Sequence, residues 1–296
     1  MTEARDLGSV TAAPPRPVRR RAGLVARLVT HPVGLGALIV LALLYLTAFL
    51  GPLVYTASPI TADPLNTTAA PSAQHPLGTD ELGRDVLARL MSGGRITLMI
   101  SVISMLVALT IGSLVGALAG YHRGWLETIL MRIVDTFMAI PSFFLILAAL
   151  AVLGNSPPVV VLVVGLGFWP QVARIVHAEV TKIRNFDFVE AERALGASSS
   201  RIIWRHIFPQ ALPATAVLTT LGIAWSILTE TGLSYLGLGI QPPLASWGNM
   251  LQNAQTYFWT KPALAVYPGL AIAVAVLCFN VIGNVLRDLT DPRGNT

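Results

Sequence analysis

The chain has 296 residues, 54% of them hydrophobic and only 12% charged. Soluble domains carry about 25% charged residues, so the composition excludes an ordinary soluble protein and points to a chain that sits mostly in lipid. The net charge of +5 marks the cytoplasmic side of a membrane and implies no nucleic-acid partner, and the single cysteine, Cys278, excludes a disulfide framework and reads as a small buried hydrophobe.

In chain order, residues 1–32 form a basic cytoplasmic tail with the segment Pro14-Pro15-Arg16-Pro17, a composition that favours disorder. Arg19-Arg20-Arg21 stands before an apolar run, like a twin-arginine signal. That run is long and has no small-residue cleavage site after it, so an uncleaved first helix is expected over Val33–Val54, within 33–55. Residues 56–94 are expected outside. There Thr79-Asp80-Glu81 has the form of a helix start, and Leu82, Val86, Leu87 and Leu90 share one face. This predicts an amphipathic helix lying on the outer surface.

A membrane core is expected over 95–290. Its first span is Thr97–Ala119, where Gly112, Gly116 and Gly120 recur every four residues and offer a face for close helix packing. No charge occurs from Thr136 to Ala173; Gly154-Asn155-Ser156-Pro157-Pro158 divides that run into helices over Ile129–Leu153 and Pro158–Ile175. Leu212–Thr229 and Pro262–Leu286 complete six spans. The spanning form is helical because each backbone group must be satisfied without water, and the runs do not alternate as barrel strands do. With both ends inside, 16 of the 20 Lys and Arg are cytoplasmic and four (Arg84, Arg89, Arg95 and Lys261) are outside, as orientation by basic residues requires.

Neither Lys182 nor Lys261 belongs to a phosphate-binding loop, and there is no HExxH or GxSxG. The five histidines show no ligand spacing, so no catalytic residue, metal or cofactor is assigned to this chain. Of the acids in or near spans, Asp135 lies one turn after Arg132, which predicts an ion pair near the inner surface. Glu230 lies near the outer end of the fifth span. Both are candidates for the transport pathway or a gate.

The cytoplasmic stretch FDFVEAERALGASSSRIIWRHIFPQALP, Phe186–Pro213, is amphipathic and divided by a glycine. Asp187 and Glu190 have the spacing of a capping box. Val189, Ala191, Ala194 and Leu195 run along a short helix, and Gly196 suits a left-handed cap. Ser198 or Ser199 can cap a second helix carrying Ile202, Ile203 and Ile207, before Pro209 and Pro213 return the chain to the membrane. A helix of this length is marginal alone, so either the protein's own helices or a separate cytosolic subunit must cover its apolar face.

This stretch resembles the EAA loop of ABC importer permeases through Glu190-Ala191-Glu192, Gly196 and Ile207-Phe208-Pro209, departing at Glu192 and Phe208 where Ala and Leu are usual. HPLGTDELGRDVLARLMSGGRITL (His75–Leu98) and LTETGLSYLGLGIQPPLASWGNML (Leu228–Leu251) extend the likeness to permease subunits of the dipeptide, oligopeptide and nickel importers, the DppC/OppC type. The resemblance implies an all-α membrane protein with the type I ABC importer permease fold, six spans and both termini cytoplasmic. It implies that the loop at 186–209 couples the pathway to ATP hydrolysis through Asp187, Glu190, Ala191, Glu192, Gly196, Ile207 and Pro209. The implied partners are a homologous permease subunit (DppB/OppB-like), one or two ABC ATPase subunits that bind ATP and Mg, an extracytoplasmic substrate-binding protein facing Gln241–Gln255, and the bilayer of a bacterial cytoplasmic membrane. The chain itself would catalyse nothing. Peptides are the favoured substrate, with nickel chelates or another small solute as the alternative. The rival reading is an ion-coupled secondary transporter using Asp135 or Glu230; such folds often carry inverted repeats, and no clear repeat is visible.

Overall fold

The computed structural model describes residues 24–290, and every helix or strand longer than an isolated bridge among them is helical. Most of the tail expected over 1–32 lies outside the described residues, and its end forms a short helix, α1 (Leu24–Thr30). The first span, α2 (Pro32–Val54), opens with His31 as cap and Pro32 at the first position, where a missing N–H leaves no bond unmade.

The second span differs from the expected one. Helix α3 runs over Val86–Tyr121, 36 residues, about 54 Å at ~1.5 Å per residue. A bilayer core is about 30 Å thick, so its first turns project from the lipid. The amphipathic helix expected from Thr79 is absent. Instead the chain reverses at Gly83 (φ +75°), whose α-hydrogen side faces the Asp63 carbonyl, a place closed to any side chain. The Asp80 carboxylate accepts from the Leu82 and Arg84 amides and ties this turn. Asp85, not Thr79, caps the helix, accepting from the Ala88 amide at 2.7 Å.

The third span is also not one helix. Helices α4 (Trp125–Ala139) and α5 (Ser142–Leu153) meet at 85°. Pro141 has no N–H and holds Ile140 in an extended conformation (φ −97°, ψ 127°), which stops a helix there. Helix α6 (Pro157–Ile183) follows, then α7 (Asp187–Ala194) in the cytoplasmic loop. After it come α8 (Ser199–Arg201), a π-helical stretch (Ile202–Ile207) and α9 (Phe208–Tyr235). These three run on as one helix, so the expected second short helix is the foot of the fifth span. Pro209 and Pro213 have no N–H to donate, and the wider π turn before them keeps the helix continuous. Helix α10 (Trp247–Ala254) packs on the outer side, and α11 (Ala263–Thr290) is the last span. Among the described residues, five helices are long and apolar enough to cross a bilayer, and the α4–α5 pair, taken as one bent span, makes a sixth.

The core is organised on the α3–α6 seam. A Cβ at Gly112 would lie 2.5 Å from the Val172 Cβ and 2.7 Å from the Trp169 carbonyl oxygen. One at Gly116 would lie 2.9 Å from the Val176 Cβ, and one at Gly120 2.9 Å from the His177 carbonyl oxygen. In return, a Cβ at Gly165 of α6 would lie 2.8 Å from the Ser104 carbonyl oxygen. The glycine face therefore packs against α6 of the same chain, and buried Ala108, Ala117, Val172, Ala173, Val176 and Val180 fill the seam. Outward surfaces of α2 and α5 stay apolar, with Leu43, Leu46, Leu50, Phe144 and Leu153 exposed, as a lipid-facing surface requires.

Overpacking a close seam costs about 1–3 kcal/mol or more. Gly116→Leu is therefore expected to lower the thermal midpoint of the purified protein by several degrees, whereas Gly36→Ala, with nothing within 4 Å of the added carbon, leaves it unchanged. Differential scanning fluorimetry in detergent checks both.

Candidate functional site

The cytoplasmic loop is built onto the lower ends of α3 and α6. Just past the end of α6, Arg184 is buried and its Nη1 donates to the carbonyls of Gly120 at 2.6 Å and Tyr121 at 3.3 Å. These are carbonyls that the last turn of α3 leaves without helical partners, and a cation suits that end of the helix dipole. Burial first, and then the charge of Arg123, hold the Arg184 guanidinium below its ordinary pKa.

Helix α7 starts at Asp187 itself. Phe186 is the capping residue and makes no side-chain cap bond. The capping box expected from Asp187 and Glu190 does not form, because Asp187 already lies within the helix; both acids instead occupy its first turn, where they complement the dipole. Val189 is fully buried and Phe188 is partly buried. Arg193 lies over the Tyr121 ring at 5.0 Å and donates from Nε to its hydroxyl at 3.3 Å.

The other side of α7 is open. Glu190, Ala191, Ala194 and Leu195 are exposed, Leu195 at 84%. Gly196 (φ +78°) then turns the chain. Its amide donates to the Arg193 carbonyl and that of Ala197 to the Glu192 carbonyl, both at 3.0 Å, the paired bonds of a Schellman cap. Ser198 caps the following helix, accepting from the Arg201 amide. Ile202, Ile203 and Ile207 are buried, Pro209 is exposed, and Glu192 reaches the His206 Nε2 at 3.6 Å across the corner. Of the two expected ways of covering the apolar face, the protein's own helices account for part. The protein covers Val189 and the three isoleucines, and leaves Ala191, Ala194 and Leu195 uncovered.

Asp135 pairs with Arg174 of α6 at 2.5 Å, not with Arg132. Arg132 is nearer in sequence, but helix packing sets Arg174 alongside. A second α4–α6 link, His177 to Glu127 at 2.8 Å, runs parallel to it.

Glu230 has no open surface: its exposure is 0%. Its two carboxylate oxygens accept from Ser234 Oγ at 2.7 Å and Thr97 Oγ1 at 2.9 Å. Thr97 Oγ1 also accepts from the Trp247 amide at 3.3 Å, and Ser234 Oγ accepts from the Ile240 amide at 2.9 Å. Asn249 donates to the carbonyls of Ile240 and Leu244 and completes a capping box with Ser246. Glu230 is therefore a clasp joining α3, α9 and the outer loop rather than a residue lining an open surface.

The outer end of α3 carries a second polar group that single-residue reading missed. Asp80 pairs with Arg84 at 2.7 Å and with Arg89 at 3.2 Å, all three buried. Asp85 accepts from Tyr55 at 2.6 Å and pairs with His75 at 2.8 Å. Burial and Asp85 push the Tyr55 phenol up to about 12. The signal in sequence was the alternation of acids and arginines over 80–89, which an outer amphipathic helix also explained.

The family described as "Binding-protein-dependent transport system inner membrane component" matches residues 112–295. The dipeptide transport system permease protein DppC of Alkalihalophilus pseudofirmus is 36% identical over 256 residues, which are 86% of this chain and 84% of that protein. The nickel transport system permease protein NikC of Escherichia coli K12 is 38% identical over 256 residues, 86% of this chain and 92% of that protein. Among solved structures, an inward-facing conformation of the MetNI methionine ABC transporter aligns with a TM-score of 0.56 at 20% identity, covering 69% of this chain and 97% of the matched chain. That likeness establishes the type I importer permease fold.

The clasp reading separates two substitutions. Glu230→Gln keeps polar atoms against the Thr97 and Ser234 hydroxyls and is expected to leave the thermal midpoint within a few degrees of wild type. Glu230→Ala strands buried hydroxyls, at about 1–3 kcal/mol for an unsatisfied group, and is expected to lower it markedly. Thermal denaturation of the two purified variants side by side decides.

Proposed function

The chain belongs to the family of binding-protein-dependent transport system inner membrane components, and we propose that it forms one half of the translocation pathway for di- and oligopeptides in an ATP-driven importer. It is a multi-pass permease subunit of such a system. The observation that carries the coupling role is the mounting of α7. Its buried side is sealed at Val189 and held to the end of α3 by Arg193 on Tyr121, next to the Arg184 bonds that join the ends of α6 and α3, while Ala191, Ala194 and Leu195 face outward at the basic, cytoplasmic end.

In this reading the exposed side of α7 seats on an ABC ATPase subunit. Glu190 is an exposed acid beside the apolar patch and would orient that contact. Two ATPase domains, carrying the ATP and Mg, close and displace α7. The Arg184 bonds to the last carbonyls of α3 oblige α3 and α6 to move with it. The Gly196 cap lets α7 tilt against the foot of α9, with Ile207 and Pro209 at the joint. Coupling of this kind requires contacts that differ between two states. A homologous permease subunit supplies the other wall of the pathway, and an extracytoplasmic binding protein delivers substrate to the outer loop around Gln241–Gln255. No catalytic step falls to this chain, which resides in a bacterial cytoplasmic membrane. The likeness to NikC favours a second substrate reading, a nickel chelate. Ion-coupled transport by this chain alone has less support, since Glu230 is sealed and Asp135 is ion-paired.

Affinity capture of the tagged chain from native membranes tests the coupling surface. Wild type is expected to bring down a second permease and ATPase subunits. Leu195→Asp and Glu190→Arg alter exposed positions, and each is expected to keep the permease partner and lose most of the ATPase. Undiminished ATPase in both variants would overturn the assignment. Uptake assays on the reconstituted complex, with dipeptide and with chelated nickel, then identify the substrate; uptake by the chain without ATPases would refute the ATP-driven reading.

A further inference from the structure

Beside α7 on the cytoplasmic side is a cavity of about 410 Å³, lined by Tyr121, His122, Arg123, Arg184, Asn185, Glu190 and Arg193. Three of these are arginines and one is a carboxylate. Among the described residues, none of the three arginines is in an ion pair. The outer arginines Arg84 and Arg89, by contrast, are both paired with acids, Arg84 with Asp80 and Glu81 and Arg89 with Asp80.

The three guanidinium groups are held in place by neutral partners. Arg123 donates to Asn185 Oδ1 at 2.8 Å, Arg193 to the Tyr121 hydroxyl, and Arg184 to two backbone carbonyls. Each bond fixes geometry and leaves the charge uncompensated. Arg184 is 94% buried by its 6% exposure, and its Nε has no hydrogen-bond partner. A buried donor without a partner costs free energy unless a ligand or water supplies an acceptor. Clustered guanidinium groups match the oxygens of a phosphate.

The place of the cavity indicates the source of that phosphate. It lies where α3 ends at Tyr121 and α6 at Ile183, at the cytoplasmic ends of two spans in the orientation given above. Trp125 stands two residues from Arg123 and is 74% exposed. Tryptophan concentrates at the level of lipid headgroups, and basic pockets between spanning helices on the cytoplasmic side take up anionic headgroups. We propose that this cavity binds the phosphate of an anionic phospholipid of the inner leaflet, between Arg123, Arg184 and Arg193. The bound lipid neutralises the cluster and braces α7 against the ends of α3 and α6. The proposal rests on the cytoplasmic placement of this loop given above. Its readout is lipid retention, so it stands or falls separately from transport.

Native mass spectrometry of the purified importer complex provides the test, with phosphatidylglycerol, phosphatidylcholine and inorganic phosphate as probes. Wild type is expected to retain phosphatidylglycerol in preference to phosphatidylcholine. Arg123→Gln/Arg193→Gln is expected to weaken that retention by about tenfold or more. Arg123→Gln alone changes an exposed residue and guards against loss of folding; it is expected to show a smaller loss in the same direction. Arg201→Gln, in the same loop but outside the cavity, is expected to change nothing. Displacement of the lipid by inorganic phosphate would support the anion site and assign it to free phosphate as well. Equal phosphatidylglycerol retention by wild type and the double variant would overturn the proposal. So would a double variant that sheds the ATPase subunits while its lipid retention is unchanged, since the arginines would then be a protein contact.

Discussion

The close approach of α3 and α6 is the constraint on which the rest of this molecule depends. Apolar side chains gain nothing by leaving lipid for one another, so helices in a bilayer associate through packing and polar contacts. Gly112, Gly116, Gly120 and Gly165 allow the two backbones to meet at carbonyl distance along most of the membrane. The two helices thereby behave as one rod. Its outer end carries the turn tied by Asp80, and its inner end carries the loop that holds α7.

Rigidity at the inner end makes the position of α7 meaningful. A helix of 8 residues has little stability of its own. It persists because Val189 is sealed beneath it, Arg193 is stacked on Tyr121 and the adjoining Arg184 closes the end of α3. The surface left over is small and apolar, flanked by Glu190, and it is presented on a stiff mount. The Gly196 corner joins it to the foot of α9.

The outer end is held by different chemistry. There the fold buries charges against polar or opposite-charged partners, Glu230 with Thr97 and Ser234 and Asp80 with Arg84 and Arg89, leaving Arg89 Nη2 without an acceptor. Leaving one such group unpaired is costly, which makes this end a fixed cap on the helix ends. At the inner end Arg123, Arg184 and Arg193 bond instead to neutral groups. The two ends of one rod are therefore held by different chemistry, acid–arginine pairs and buried hydroxyls outside and neutral partners of arginine inside.

Much of this was readable in the residues because membranes impose a simple rule. Length of apolar run, the inside bias of Lys and Arg and the breakers at 154–158 set the number and direction of the spans, since lipid admits only helices with satisfied backbones. The left-handed glycine at Gly196 and the Ser198 cap were likewise local facts, decided by the backbone of a few residues. What sequence could not decide depended on neighbours distant along the chain. Pro141 could bend or merely kink a helix, and the 85° turn follows from its surroundings. Asp187 could cap or begin a helix. Asp135 had Arg132 one turn away, yet Arg174 arrives from α6. Glu230 read as a gate because an acid in a span is costly, while the hydroxyls that satisfy it come from α3 and from its own next turn. Local backbone preference and the demands of the bilayer were fixed by the residues themselves. Which charge meets which, and which side of α7 stays open, only the packing of α3 on α6 determined, because electrostatic pairing depends on distance in space and not on spacing along the chain.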